Sequence, residues 1–281
     1  VAVRQRLRVL RVRSLRGLLP RVRLVIDDFL AWCARDRGRS PNTIARYRIT
    51  LTAAEASCGN LIAADVQAIE AWWETRYEQA PATRGNELAC LRSFYKWATR
   101  FDHRPDDPTR RLDYPKIPVK QPRPAGQSDL GRLLGELTED APDLRRAIAL
   151  GAYGGLRVSE AAALDWSTID EETRVIYVTG KGVKERVVPI SAVLWDWLLP
   201  ELAAGNVVTA GGRVYQGDTL QRRINRLMKA GGVGHTYHDL RKRGATLALS
   251  RTKNPLAVAQ VFGWESLQTA QHYARFDDDV L

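Results

Sequence analysis

Arg174-Val175-Ile176-Tyr177-Val178-Thr179, then Gly180-Lys181-Gly182, then Lys184-Glu185-Arg186-Val187-Val188-Pro189-Ile190, is the stretch that decides the fold class. Both flanking runs are rich in β-branched residues, and two glycines bracket the lysine between them. The pattern predicts a β-hairpin with Lys181 at its tip. The rest of Ser128 to Leu281 reads as helices. The second half is therefore expected to be mainly α, a mixed, mostly helical domain with a small antiparallel β-sheet or hairpin set into it.

Upstream the composition changes. Pro105, Pro108, Pro115, Pro118, Pro122 and Pro124, with Lys116, Lys120 and Arg123, predict an extended basic linker over 105–126. Ahead of it, residues 25–104 read as four helices. Val25, Ile26, Phe29, Leu30 and Cys33 share one helical face. Ser40-Pro41 supplies an N-cap and a proline at the first helical position, for a helix running to Gly59. Asp65 caps a third helix through Trp72 and Trp73, and Thr83 opens a fourth carrying Leu88, Leu91, Phe94, Tyr95 and Trp97. The expected division is a basic arm (1–24), a helical domain (25–104), a linker (105–126) and a second domain (127–281).

The 281 residues include 43 Lys and Arg against 32 Asp and Glu, a formal net charge of +11. Such an excess favours a polyanionic partner, nucleic acid above all, because neutralising phosphates releases condensed counterions. Val1 to Leu24 holds eight arginines and no acid. It lacks the apolar core of a secretory signal, and a phosphate-touching arm is a more economical reading than an organelle transit peptide. Cys33, Cys58 and Cys90 have no metal-ligand spacing and read as reduced thiols of a cytoplasmic, DNA-associated protein. No apolar run approaches a membrane span, so no membrane partner is expected.

Four segments hold residues suited to chemistry: Gly154-Gly155-Leu156-Arg157-Val158-Ser159-Glu160, the hairpin turn with Lys181, His238-Asp239-Leu240-Arg241, and Phe262-Gly263-Trp264 followed nine positions on by Tyr273. Singly, each has a plainer reading. Arg157 and Glu160 suit an ordinary helix ion pair, Lys181 a solvated turn, His238 and Arg241 a helix cap, and Tyr273 packing.

In combination and in this order, these segments resemble the tyrosine recombinase (phage integrase) family. The resemblance runs from Val25 to Tyr273 and includes the Ser40-Pro41-Asn42-Thr43 helix start and the Gly180-Lys181-Gly182 turn. It implies a two-domain DNA clamp: an N-terminal four-helix, SAM-like core-binding domain and a C-terminal catalytic domain. Chemistry then suggests the roles. An attacked phosphodiester gains charge on its nonbridging oxygens, and the forked guanidiniums of Arg157 and Arg241 suit those oxygens. Tyr273 is the expected nucleophile. His238 is placed by the family pattern to accept its proton or to help hold the phosphate, and Lys181 protonates the departing 5′ oxygen. By resemblance Trp264 stands where most members carry His; its indole N–H can donate one hydrogen bond but cannot exchange protons. Glu160 is expected to position Arg157. The product is a 3′-phosphotyrosine and a free 5′-hydroxyl, with no cofactor and no metal required. The resemblance further implies a homotetramer on double-stranded DNA with core-type inverted repeats, exchanging strands through a Holliday junction, with a host bending or directionality factor as a further partner.

Two features depart from the family pattern. Lys242 replaces a frequent second His, and eight residues, Ala274 to Leu281, follow Tyr273, which puts docking of the tail onto a neighbouring protomer in doubt. Val1 to Leu24 is too small to form the separate arm-site domain of large phage integrases, so either simple core sites suffice or an N-terminal piece is missing. Trp264 tilts the reading towards an integrase of a phage or mobile element. The alternatives are a chromosome-dimer-resolving, Xer-like recombinase, a type IB topoisomerase, and a DNA-binding protein that has lost catalysis.

Overall fold

The computed structural model describes residues 25–118, 123–135, 141–180, 185–198, 204–264 and 266. Residue contacts divide the chain into two units, Val1–Val119 and Lys120–Leu281.

The first unit is helical: α1 over 25–35, α2 (Pro41–Cys58), α3 (Val66–Glu74) and α4 (Pro81–Arg100). Local chemistry sets the boundaries. Ser40 Oγ accepts the Thr43 N–H at 3.3 Å, and the Asp65 carboxylate accepts the Ala68 N–H at 2.8 Å. Gly59 closes α2 at a positive φ of 74°. α4 starts two residues before the expected Thr83, because Pro81 presets the first helical φ and no side-chain cap is used. Phe29, Leu51, Ile69, Trp72, Leu88, Leu91 and Phe94 form the buried core, with Phe29 and Phe94 edge to face at 5.4 Å. Cys33 and Cys90 are buried free thiols in this core, and burial pushes Cys33 up to about 11 despite nearby Arg39 and Arg37.

The expected extended linker begins differently. Pro108–Arg111 forms a 3₁₀ turn capped by Asp107, which accepts the Thr109 N–H at 2.8 Å. Thr109 is buried, and Leu112 joins the core of the first unit. Proline thus starts a short helix here, and one apolar side chain is enough to anchor the segment.

The second unit contains α5 (Gln127–Gly135), α6 (Pro142–Ala152), α7 (Val158–Ala163), α8 (Ala192–Leu198), α9 (Gly217–Ala230), α10 (Tyr237–Thr252) and α11 (Pro255–Phe262). The predicted hairpin is present as β2 (Val175–Thr179) and β3 (Glu185–Pro189), antiparallel with Thr179 opposite Glu185 and Ile176 opposite Val188. Ile176, Val178 and Val188 face inward while Tyr177 and Val187 are exposed, the period-2 alternation of a half-buried sheet. A two-residue strand, β1 (Ile169–Asp170), makes the sheet three-stranded in the order β1-β2-β3. A second ribbon pairs β4 (Thr209–Ala210) with β5 (Arg213–Val214). The apolar core gathers Ala147, Ile148 and Leu150 of α6 with Ile176, Leu194, Ile224 and Leu240. Among the described residues no helix is long and apolar enough to cross a membrane.

Candidate active site

The site is assembled where α6 turns into α7. Gly155 has φ +63°, and a Cβ there would lie 2.2 Å from Cε1 of Phe262. Only glycine accepts both conditions. The turn delivers Arg157 to the N-cap of α7, and Glu160, at the third helical position, folds back onto it. The Glu160 carboxylate accepts the Arg157 backbone N–H and its Nη1, both at 2.7 Å. The sequence pair is therefore a one-way cap at the start of α7, in which Glu160 accepts from both the backbone and the side chain of Arg157, not a solvated pair along a helix.

Two further guanidiniums approach the same carboxylate. Arg186 of β3 donates from Nη1 and Nη2 to the two Glu160 oxygens at 2.9 and 2.8 Å, and from Nε to the Val261 carbonyl at 2.8 Å. Arg241 of α10 sits with Nη1 3.8 Å from Glu160 Oε2. Its fork donates to the Gly155 carbonyl and, at 2.5 Å, to the Phe262 carbonyl, over the Phe262 ring. Arg157 Nη2 reaches the Gly263 carbonyl at 3.2 Å. Burial acts to raise the Glu160 pKa, but the hydrogen bonds from Arg186 and Arg157 outweigh it and hold the group at about 2. Three cations thus share one permanent anion, leaving a net positive centre. The side chain of Arg157 is 41% exposed, against 10% for Arg186 and 5% for Arg241.

His238 lies one turn before Arg241 in the first turn of α10, where Asp239 accepts the Thr236 backbone N–H and hydroxyl, both at 2.8 Å. Its ring reaches solvent, yet desolvation by the surrounding protein, then the Lys242 ammonium, lowers its pKa, with Arg241 and Arg157 adding to the effect and Asp239 opposing it. Lys242 is itself held by Asp239 at 2.6 Å. Trp264 follows Gly263, which ends α11 at φ +59°, and its half-buried ring lies 5.2 Å from that of Phe262. A cleft of about 350 Å³ runs from Arg157 and Glu160 to Thr179 and Gly180 at the end of β2. Lys181 and Tyr273 lie outside the described residues.

Of the candidates, Arg157, Glu160 and Arg241 are brought into one cluster, with His238 beside Arg241 and Trp264 packed on the Phe262 ring. Arg186 was not singled out from the sequence. A signal for it existed: with Val188 inward, period 2 turns Arg186 inward as well, and a charge on that face requires a partner.

Residues 127–279 match the phage integrase family model, and residues 26–101 match the phage integrase N-terminal SAM-like domain. The chain belongs to the phage integrase family. As a member of that family it is a tyrosine recombinase, an enzyme of DNA strand breakage and rejoining. Tyrosine recombinase XerC of Corynebacterium efficiens is 31% identical over 273 residues, covering 91% of this chain and 88% of that protein. Tyrosine recombinase XerD of Xanthomonas axonopodis pv. citri is 30% identical over 284 residues, covering 89% and 92%. Among solved structures, a lambda integrase dimer bound to a COC′ core site superposes with a TM-score of 0.76 at 18% identity, covering 90% of this chain and 94% of that one. A lambda integrase tetramer bound to a Holliday junction superposes at 0.73 and 17% identity, covering 87% and 77%. These likenesses carry the fold: a SAM-like helical domain followed by a mostly helical domain with a small sheet, as for other phage integrase family members.

Proposed function

We propose that this protein recombines DNA at specific paired sites, cutting and rejoining strands through a 3′-phosphotyrosine at Tyr273. The observation that carries the reading is the convergence of Arg157 and Arg241, 84 residues apart, on Glu160 and on the carbonyls of Gly155, Phe262 and Gly263. Preorganised guanidiniums of this kind stabilise the charge that builds on a phosphodiester under attack; losing one such donor typically costs about 10²–10³ in rate. His238, whose lowered pKa keeps it neutral near pH 7, accepts the Tyr273 proton. Lys181, beyond the strand ends at Thr179 and Glu185, protonates the 5′ oxygen as it leaves, and the Trp264 N–H donates to the phosphate. One phosphoester bond forms as another breaks, so bond energy is conserved and the balance needs no ATP.

In this reading 25–104 is the core-binding domain and 127–281 the catalytic domain, joined by 105–126 and closing around a duplex, with the 1–24 arm on phosphates. Four copies exchange strands through a Holliday junction, in line with the lambda integrase tetramer. A host bending or directionality factor is a further proposed partner, and the setting is the bacterial cytoplasm. The XerC and XerD names of the relatives favour a chromosome-dimer-resolving role over the mobile-element role. Trp264, where most members carry His, supports the second reading, integration or excision of a phage or mobile element.

Covalent trapping in EDTA tests the function. Wild type and Tyr273→Phe are incubated with fragmented DNA of the source genome and its mobile elements, and denaturant-resistant adducts are sequenced. Adducts from wild type alone, at one inverted-repeat site, are expected; a chromosomal or a mobile-element position separates the two roles. Adducts scattered without a site would replace the reading by a topoisomerase-like one. Adducts from Tyr273→Phe would overturn the nucleophile.

A further inference from the structure

Glu160 poses an electrostatic problem. A carboxylate hydrogen-bonded to Arg157 at 2.7 Å neutralises the guanidinium that is to meet a phosphate. The geometry points to Arg186 as the residue that solves it: we infer that Arg186 is the counter-ion of Glu160, keeping the charge of Arg157 available to the phosphate. The inference rests on the recombinase reading and adds a positioning residue to it.

Three observations support this assignment. Arg186 takes both Glu160 oxygens with its two terminal nitrogens, the bidentate geometry that favours an Arg–carboxylate pair. Arg157, by contrast, holds one oxygen by one side-chain nitrogen, and its second terminal nitrogen turns to a carbonyl. Exposure divides the same way, with Arg186 nearly closed off and Arg157 open along the cleft. The Nε bond of Arg186 to the Val261 carbonyl adds a mechanical role. It fastens β3, the second arm of the hairpin, to α11 one residue before Phe262, whose carbonyl holds Arg241. One side chain therefore ties together the strand β3, the Arg157 cap and the segment that orients Arg241.

Without Arg186, each Glu160 oxygen loses a guanidinium donor and the carboxylate can draw Arg157 in more tightly, and the centre loses one positive charge. Removing the carboxylate as well releases Arg157 again. A merely structural Arg186 would give losses that add. The counter-ion role requires the second substitution to rescue the first.

The test is a cycle of Arg186→Met, Glu160→Gln and the double variant, read by initial rate of covalent adduct formation on the trapped DNA site and by thermal melting. Arg186→Met is expected to cleave at least about 10-fold more slowly, with the double variant recovering at least about threefold over it. Arg186→Lys keeps the charge but loses the bidentate fork and the Nε bond, so it should recover part of the rate lost in Arg186→Met and remain below wild type. In melting, the double variant should unfold at a higher temperature than Arg186→Met, because the buried carboxylate that has lost its bidentate partner is removed as well. A double variant as slow as the product of the singles, or one that melts below Arg186→Met, overturns the inference. If Arg186→Met fails to fold, the double variant is compared with Glu160→Gln alone, which leaves Arg186 buried without a counter-ion; a double that is slower and melts lower overturns it. Wild type that forms no adduct while the melting coupling appears would instead overturn the recombinase reading and leave the ion pairing standing.

Discussion

Gly155 and Phe262 meet so closely that a methyl group on the Gly155 Cα would lie 2.2 Å from the Phe262 ring. The contact matters because each residue also supplies a carbonyl to the Arg241 fork. The two elements that hold Arg241 are thus seated directly on one another.

Gly155→Ala should therefore damage fold and site together. The positive φ and the clash are separate penalties, summing to about 2–4 kcal/mol of stability. Urea unfolding measures this. Adduct formation by the remaining folded fraction should fall as well, since Phe262 cannot yield without moving its carbonyl off Arg241. A variant of wild-type stability would show that α11 shifts freely.

Glu160 makes stability depend on acid. Its pKa is about 2 in the folded protein against an ordinary 4.5. A carboxyl depressed on folding stabilises above its unfolded value and loses that contribution as pH falls through the folded one. On the order of 3 kcal/mol is then present at pH 7 and lost between about pH 4.5 and 2. The stability gap between wild type and Glu160→Gln, from urea melts at pH 7 and pH 3, should narrow in acid. A gap independent of pH would mean that Glu160 does not stabilise as an anion.

His238 should set the acid limb of the cleavage profile. Desolvation and then Lys242 place its pKa below the ordinary 6.5, so the rate should hold at pH 6.5 and fall only at lower pH. Removing the neighbouring cation with Lys242→Met raises the His238 pKa, which also releases Asp239 to act on it, and the limb should move to higher pH. A limb that stays put in Lys242→Met, or one that survives in His238→Gln, would assign the titration to another group.

Trp264 separates hydrogen bonding from packing. Trp264→Phe keeps an aromatic ring against Phe262 but loses the N–H, and is expected to slow adduct formation about 10-fold at unchanged melting temperature. Trp264→His restores a donor and should lie between the two. Equal rates for Trp264→Phe and wild type would leave the indole a purely packing role.

Much of this was legible locally. Ser40-Pro41 and Asp65 start helices because a cap and a proline act on backbone within three residues. The hairpin followed from two strand-like, β-branched runs and the glycines between them, and the order of the site segments marked Arg157, His238 and Arg241 as candidates. The strands β1, β4 and β5 were not visible, since two residues are too few to show a period. Nor was the docking of Leu112, which depends on an apolar surface contributed by distant helices.

What the sequence by itself determined is the four helices of the first unit, the mainly helical character of the second, the hairpin and the residue types suited to phosphate chemistry, all of which rest on interactions between near neighbours. Which charges pair was decided only by the tertiary structure. Arg186 meets Glu160 across 26 residues, Arg241 meets the Phe262 carbonyl across 21, and Arg157 meets the Gly263 carbonyl across 106. In the sequence Glu160 is the natural partner of Arg157 alone. Folding makes it the shared anion of three cations, because burial excludes water and obliges a buried carboxylate to find every donor within reach.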